Sequence, residues 1–233
     1  MRLRLRLAAV ILVLPAAAAA QDRQVEQGFR VWFPYFGDHP FGDSRWGAHL
    51  EYQFRFEDGI AQWQQILLRP GLNYQANRFL MLTAGYAYVR SYQPPPAPDL
   101  NEHRIWEQAW LRYRTGKVAW TSRYRFENRF IEGGGRYRYE NRFRAWQQAT
   151  VPLRGRFYAT GYSEIWLYVK PYQSSSVFDQ NRTYAALGVN IKPGWRFETG
   201  YMNQTVLQRS GSVLDVNHIL TITILSNAPF RRK

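Results

Sequence analysis

The sequence predicts an all-β chain: a single antiparallel transmembrane β-barrel of about ten strands, with twelve as the alternative count. Three observations predict it. Arg123–Phe130 and Arg136–Phe143 read RYRFENRF and RYRYENRF, alternating charged and aromatic residues at the period of two that belongs to strands. The chain carries 14 Phe, 16 Tyr and 9 Trp in 233 residues, more than a soluble core needs and what aromatic girdles at two bilayer interfaces would use. Its first twenty residues read as an export signal.

That signal is MRLRLRLAAVILVLPAAAAA: a basic start, a short apolar run and small residues before Gln21. These are the parts of a secretory signal peptide, with cleavage expected after Ala20. Three of the chain's positive charges, Arg2, Arg4 and Arg6, lie in it. The run Leu7–Leu14 is too short for a transmembrane helix, and no longer one follows. The formal net charge is +14 and there is no cysteine, which removes disulfides, thiolate metal sites and lipoprotein anchoring. A basic, aromatic-rich chain can bind nucleic acid. Export and the spread of arginine over many strands argue against it.

Residues 21–43 read as a periplasmic lead-in, because Pro34 interrupts GFRVWFPYF and the following residues are turn-like. The barrel is expected over 44–227. In its first strand Trp46, Ala48, Leu50, Tyr52, Phe54 and Phe56 face outward; His49, Glu51, Gln53 and Arg55 face inward. After the Glu57–Gly59 turn, the next strand sets Ile66, Leu68, Leu72 and Tyr74 outward and Gln65, Arg69 and Asn73 inward. Phe79–Tyr92 follows, then the Pro-rich loop QPPPAPDL, which cannot feed a ladder. Further strands are expected at Asn101–Arg114, in the repeated hairpin, and at Phe157–Val169, Asn181–Ile191, Trp195–Leu207 and Leu214–Leu225. A basic tail, 228–233, ends the chain. With Gln93–Leu100 as an outer loop, short and long connections alternate, and an even strand count puts both termini inside.

The hairpin's register is argued from charge. Pairing Arg129 with Arg136 sets Glu127 opposite Arg138 and Arg125 opposite Glu140, whereas a slip of two sets Glu127 against Glu140. The charged face, Arg123, Arg125, Glu127, Arg129, Arg136, Arg138, Glu140, Arg142 and Arg144, cannot be an ordinary soluble core, because guanidinium groups are rarely buried unpaired. It is expected to line the lumen together with His49, Glu51, Arg55, Arg69, Arg104, Arg112, Arg182, Arg196 and Glu198. Glu107 falls on the outward face, and a bulge or register error is expected there. A two-sided sheet in a soluble periplasmic sandwich is the structural rival.

Several phrases, in order, resemble a known family: LLRPGLNY (Leu67–Tyr74), AGYAY (Ala84–Tyr88), NEHRIWEQ (Asn101–Gln108), RYRFENRF, QNRTYAALGV (Gln180–Val189) and ETGYMNQ (Glu198–Gln204). They are similar to the domain-of-unknown-function family numbered 2490. The resemblance spans about Trp46 to Leu225 and implies a bacterial outer-membrane β-barrel with no assigned activity. Outer-membrane barrels commonly end on an aromatic residue. Here Phe230 is followed by Arg231, Arg232 and Lys233.

Catalytic chemistry has no visible constellation. His39, His49, His103 and His218 stand outside any GxSxG or HExxH context. Ser122 and Ser163 fall on the outward face with no histidine placed beside them. No metal or cofactor is expected. The function expected is structural or passive, with outer-membrane lipid and the barrel-insertion machinery as partners. The first alternative is a narrow anion-selective channel for small anionic solutes, since arginine-lined pores favour anions. The second is a lipid-acting enzyme. The competing fate of the lumen is a plug of side chains, as in other small barrels.

Overall fold

The computed structural model describes residues 23–170 and 176–230; the proposed signal peptide, most of the Ser-rich loop after Lys170 and the last three residues lie outside them. Among the described residues there are eleven strands: β1 (Gln24–Pro40), β2 (Trp46–Glu57), β3 (Gln62–Gln75), β4 (Leu80–Ser91), β5 (Leu100–Thr115), β6 (Val118–Gly133), β7 (Arg136–Pro152), β8 (Phe157–Lys170), β9 (Phe178–Lys192), β10 (Trp195–Leu207) and β11 (Val213–Ser226). Each pairs antiparallel with the next, and β1 closes the ring against β11. With an odd number of strands that closing pair must be parallel, and it is, from Gln24↔Val213 to Gly37↔Ser226.

The eleventh strand corrects the ten expected and the twelve held as alternative. It comes from the segment read as a lead-in. The sequence expectation is that Pro34 breaks that strand. Instead Pro34 faces Gln53 of β2, while on the β11 side the ladder is interrupted between Trp32↔Thr221 and Tyr35↔Ile224. The missing N–H therefore falls where no ladder bond is required. Pro70 in β3 is placed in the same way, between Leu68↔Tyr88 and Gly71↔Gly85. The odd count also places the two termini at opposite ends of the barrel, not together.

The expected hairpin register is wrong by four residues. β6 and β7 pair Glu127 with Arg142 and Arg129 with Glu140. The cause is the turn. The expected pairing of Arg129 with Arg136 leaves all of residues 130–135 as loop, but Gly134 and Gly135 alone turn the chain, at φ 58° and 73°. That is the two-residue turn whose twist matches antiparallel strands, and it requires positive φ at both central positions. The charge argument survives in the new register, with carboxylates facing guanidiniums.

Side chains are sorted by parity around the whole ring. Outside lie exposed Phe29, Phe54, Leu72, Leu82, Ile105, Tyr124, Leu187 and Ile224; inside are buried Glu51, Arg69, Arg125, Glu127, Glu140 and Glu164. This inverts a soluble protein. Glu107 is outward as its parity dictates, with Ala84 and Phe126 as its lateral partners in unbroken ladders, so neither the bulge nor the register error expected there exists. The connections at 92–99 and 171–177 make one end long-looped. The other end has short turns at 41–45, 76–79, 116–117, 153–156 and 193–194. In the first long loop Arg90 holds Asp99 by two hydrogen bonds, 2.9 and 3.2 Å, which lowers the Asp99 pKa below its ordinary value.

Candidate functional site in the lumen

The lumen is built by inward residues two apart on each strand, so every strand contributes a column of side chains at successive depths. At mid-depth these columns meet in an ion network centred on Glu127, which has no exposed surface. Its Oε1 accepts from Arg144 at 2.8 Å and Arg69 at 3.2 Å. Its Oε2 accepts two hydrogen bonds from Arg142, at 2.7 and 3.1 Å. Arg104 and Arg125 approach to 3.8 Å. Four strands, β3, β5, β6 and β7, thus converge on one carboxylate.

Further carboxylates extend the girdle. Arg69 Nη1 donates to both oxygens of Glu51 at 2.7 Å. Glu164 receives Arg123 at 2.5 Å and Arg144 at 2.8 and 2.9 Å. Glu102 is clasped by Arg104 and Arg129, Glu140 by Arg129 and Arg209, and Asp179 by Arg142. Among the described residues nine arginines and seven carboxylates are buried. Such charges persist out of water only when paired and hydrogen-bonded, and here most are, so the girdle is close to neutral.

Indole rings fill the spaces between guanidiniums. Trp166 lies under Arg144, Arg142 and Arg182, at 3.6, 4.1 and 4.2 Å from its centroid. Arg55 stacks on Trp32 at 3.9 Å. Trp106, fully buried, lies against Arg125 at 4.8 Å and edge-on to His49 at 5.3 Å. It fits because Gly71 and Gly85, paired across β3 and β4, leave a notch; a Cβ on either would stand 2.9 Å from its Cζ2. Cation–π contact of this kind holds arginines whose donors outnumber the available acceptors.

Above and below the girdle the lumen opens into two cavities. That on the long-loop side is about 280 Å³. That on the short-turn side is about 1110 Å³ and reaches the mouth at Arg45, Arg112 and Arg114. His49 joins the larger cavity to the girdle: its Nδ1 meets Asp38 at 2.8 Å and its Nε2 lies 3.7 Å from Glu51. Asp38 also accepts from Asn73, whose own oxygen accepts from Thr83.

The structure brings together Arg123, Arg125, Glu127, Arg129, Glu140, Arg142, Arg144, His49, Glu51, Arg55, Arg69, Arg104 and Arg182 inside the barrel. Arg138 lines the smaller cavity, and Arg112 and Arg196 line the larger. Arg136 is not in the lumen; it sits exposed at the tip of the β6–β7 turn, because the tighter turn moves it beyond the last lumen layer. Glu198 is buried but accepts from Tyr158 at 2.8 Å instead of from arginine. Sequence reading missed Asp38, Glu102 and Asp179 as counter-ions. Glu102 shares parity with Arg104 and was legible on that ground; Asp38 was hidden in the supposed lead-in.

Residues 29–215 match the model of a family described as a protein of unknown function, numbered 2490. The chain belongs to that family. The match to family 2490 begins inside β1 and ends at the start of β11, so it includes most of the strand that sequence reading left out. An uncharacterized protein of Methylorubrum extorquens is 29% identical over 228 residues, covering 95% of this chain and 96% of its own. Among solved structures, the NanC porin in a rhombohedral crystal form aligns over 78% of this chain and 90% of that one, at 10% identity and a TM-score of 0.47.

Proposed function

We propose that the chain is an outer-membrane barrel, structural or passive in role, whose lumen is sealed at mid-depth by the arginine–carboxylate girdle. The apolar and aromatic exterior supports placement in lipid, and the leader read at residues 1–20 supports export. On this reading the short turns face the periplasm, as in bacterial barrels generally. Outer-membrane lipid and the insertion machinery are then its partners.

The observation that carries the sealed reading is Glu127, unexposed and held by guanidiniums arriving from three other strands, β3, β5 and β7, besides its own. An open pore would leave such a group wet. A narrow anion path is the second reading, favoured by the excess of buried arginine over buried carboxylate.

The test is planar-bilayer recording on the refolded chain without residues 1–20. A folded, heat-modifiable protein that gives no discrete current steps supports the seal. Anion-selective steps would overturn it in favour of the narrow path.

A further inference from the structure

We infer that the short-turn cavity is a binding site for a small organic anion with a planar ring body carrying two or more carboxylate groups. The proposal stands apart from the sealed girdle and from membrane placement, since it concerns only the cavity and its mouth.

The first observation is charge. The cavity is lined by nine arginines and lysines against four carboxylates. Those near its floor, such as Arg123 and Arg144, are spoken for by Glu164 and Glu127. The cations nearer the mouth are not. Among the described residues no carboxylate comes within 4.0 Å of Arg45, Arg114, Lys192 or Arg196, and Arg112 has only Asp38, at 3.8 Å. A low-dielectric cup rimmed by one sign of charge concentrates counter-ions, and guanidinium forks match carboxylate geometry.

The second observation is the wall. Four inward aromatic residues from consecutive strands of the β5–β9 arc form a ladder in this cavity, with only β6 contributing a cation instead. Trp110 meets Trp146 at 5.5 Å, Trp146 meets Tyr162 at 5.3 Å and Tyr162 meets Tyr184 at 4.7 Å between centroids. Arg123 of β6 fills the gap, 5.4 Å from Trp110 and 5.2 Å from Trp146. Tyr184 and Tyr162 at one end also pack on the buried cluster of Trp32, Met202 and Ile219, whereas Trp110 and Trp146 stand half-buried at the cavity wall. Aromatic faces give a stacking surface for a flat ring, while the cations nearer the mouth supply the charge. The volume, about 1110 Å³, exceeds what a single ring needs, so water accompanies the ligand.

Isothermal titration of the folded barrel in uncharged detergent tests this, with benzene-1,3,5-tricarboxylate as probe and propane-1,2,3-tricarboxylate as the aliphatic comparator. The expected result is saturable one-site binding of the aromatic probe, at least tenfold tighter than the comparator. Arg114→Gln with Arg196→Gln should weaken it at least tenfold with an unchanged melting temperature, both side chains lacking a carboxylate partner whose loss could unfold the barrel. Trp146→Leu should erase the preference for the ring and leave the comparator's affinity within about twofold. No saturable binding at millimolar probe would overturn the site. Equal affinity for both acids, or an unaffected rim variant, would overturn it as well.

Discussion

Glu127 of β6 and Arg142 of β7 are direct cross-strand partners, joined by two hydrogen bonds of 2.7 and 3.1 Å with neither side chain open to solvent. This pair ties the hairpin's register to the centre of the lumen. The same carboxylate that fixes β7 against β6 also draws in Arg69 from β3 and Arg104 from β5, so local strand pairing and closure of the barrel interior depend on one residue.

Glu127→Ala should therefore destabilise the folded barrel by about 3–5 kcal/mol, the usual cost of leaving buried charges without a partner. Several guanidiniums lose their acceptor at once. Urea unfolding followed by tryptophan fluorescence in detergent measures it. A loss below about 1 kcal/mol would mean that water enters the girdle freely.

The register makes a separate prediction. Arg129 and Glu140 are cross-strand partners with a 3.0 Å contact. Exchanging them, Arg129→Glu with Glu140→Arg, should be better tolerated than either single reversal, by roughly 1–3 kcal/mol of coupling. The exchange is imperfect because Arg129 also holds Glu102. Equal damage in all three variants would show that this pairing is absent.

Parity was legible in the sequence; closure was not. The alternation in β2, β3, β5, β6 and β7 assigned nearly every inward residue, including Arg55, Arg69 and Arg104, because a strand has only two faces and arginine tolerates only one of them here. The failures share a cause. Pro34, the even-count rule and the pairing of Arg129 with Arg136 read from charge are local or statistical signals. The number of strands and the pairing of β6 with β7 were decided instead by long-range contacts: β1 against β11, and Glu127 against arginines of three other strands. The cavity ladder was invisible for the same reason. Trp110, Trp146, Tyr162 and Tyr184 are separated in sequence and become neighbours only once β5 to β9 pair in register.

Phe126 lies on the outside, half-buried between neighbours and directly opposite Phe143. Phe126→Arg should cost about 2–4 kcal/mol in lipid if it stands near the bilayer midplane. Equilibrium unfolding in phospholipid vesicles measures it. An effect near zero would place this face in water and return the soluble sandwich as the better reading.

Gly85→Ala tests the notch that admits Trp106. A methyl group there would press on the indole and on the carbonyl of Pro70, and overpacking of this kind costs about 1–3 kcal/mol. Trp106→Leu in the same chain should recover part of that loss by vacating the notch. If the double variant is no more stable than the sum of the singles implies, the indole is not what the glycines accommodate.

The parallel seam can be fixed covalently, because the chain has no cysteine of its own. Gln27 and Val216 are register partners across β1 and β11 on the outer face. Neighbouring strands bring such partners within the Cα separation that a disulfide spans, about 4.4–6.8 Å. Gln27→Cys with Val216→Cys should oxidise within a monomer, giving a faster-migrating band on non-reducing gels that dithiothreitol reverses. Moving one cysteine to Phe33, about six residues along β1, should abolish it, since Phe33 lies where the β11 ladder is broken and far from Val216. If the first strand were a periplasmic lead-in outside a ten-strand ring, neither pair would close, and β11 would have to meet β2 instead. Efficient cross-linking of Gln27→Cys to Val216→Cys therefore distinguishes an eleven-strand barrel from an even one by a single band shift.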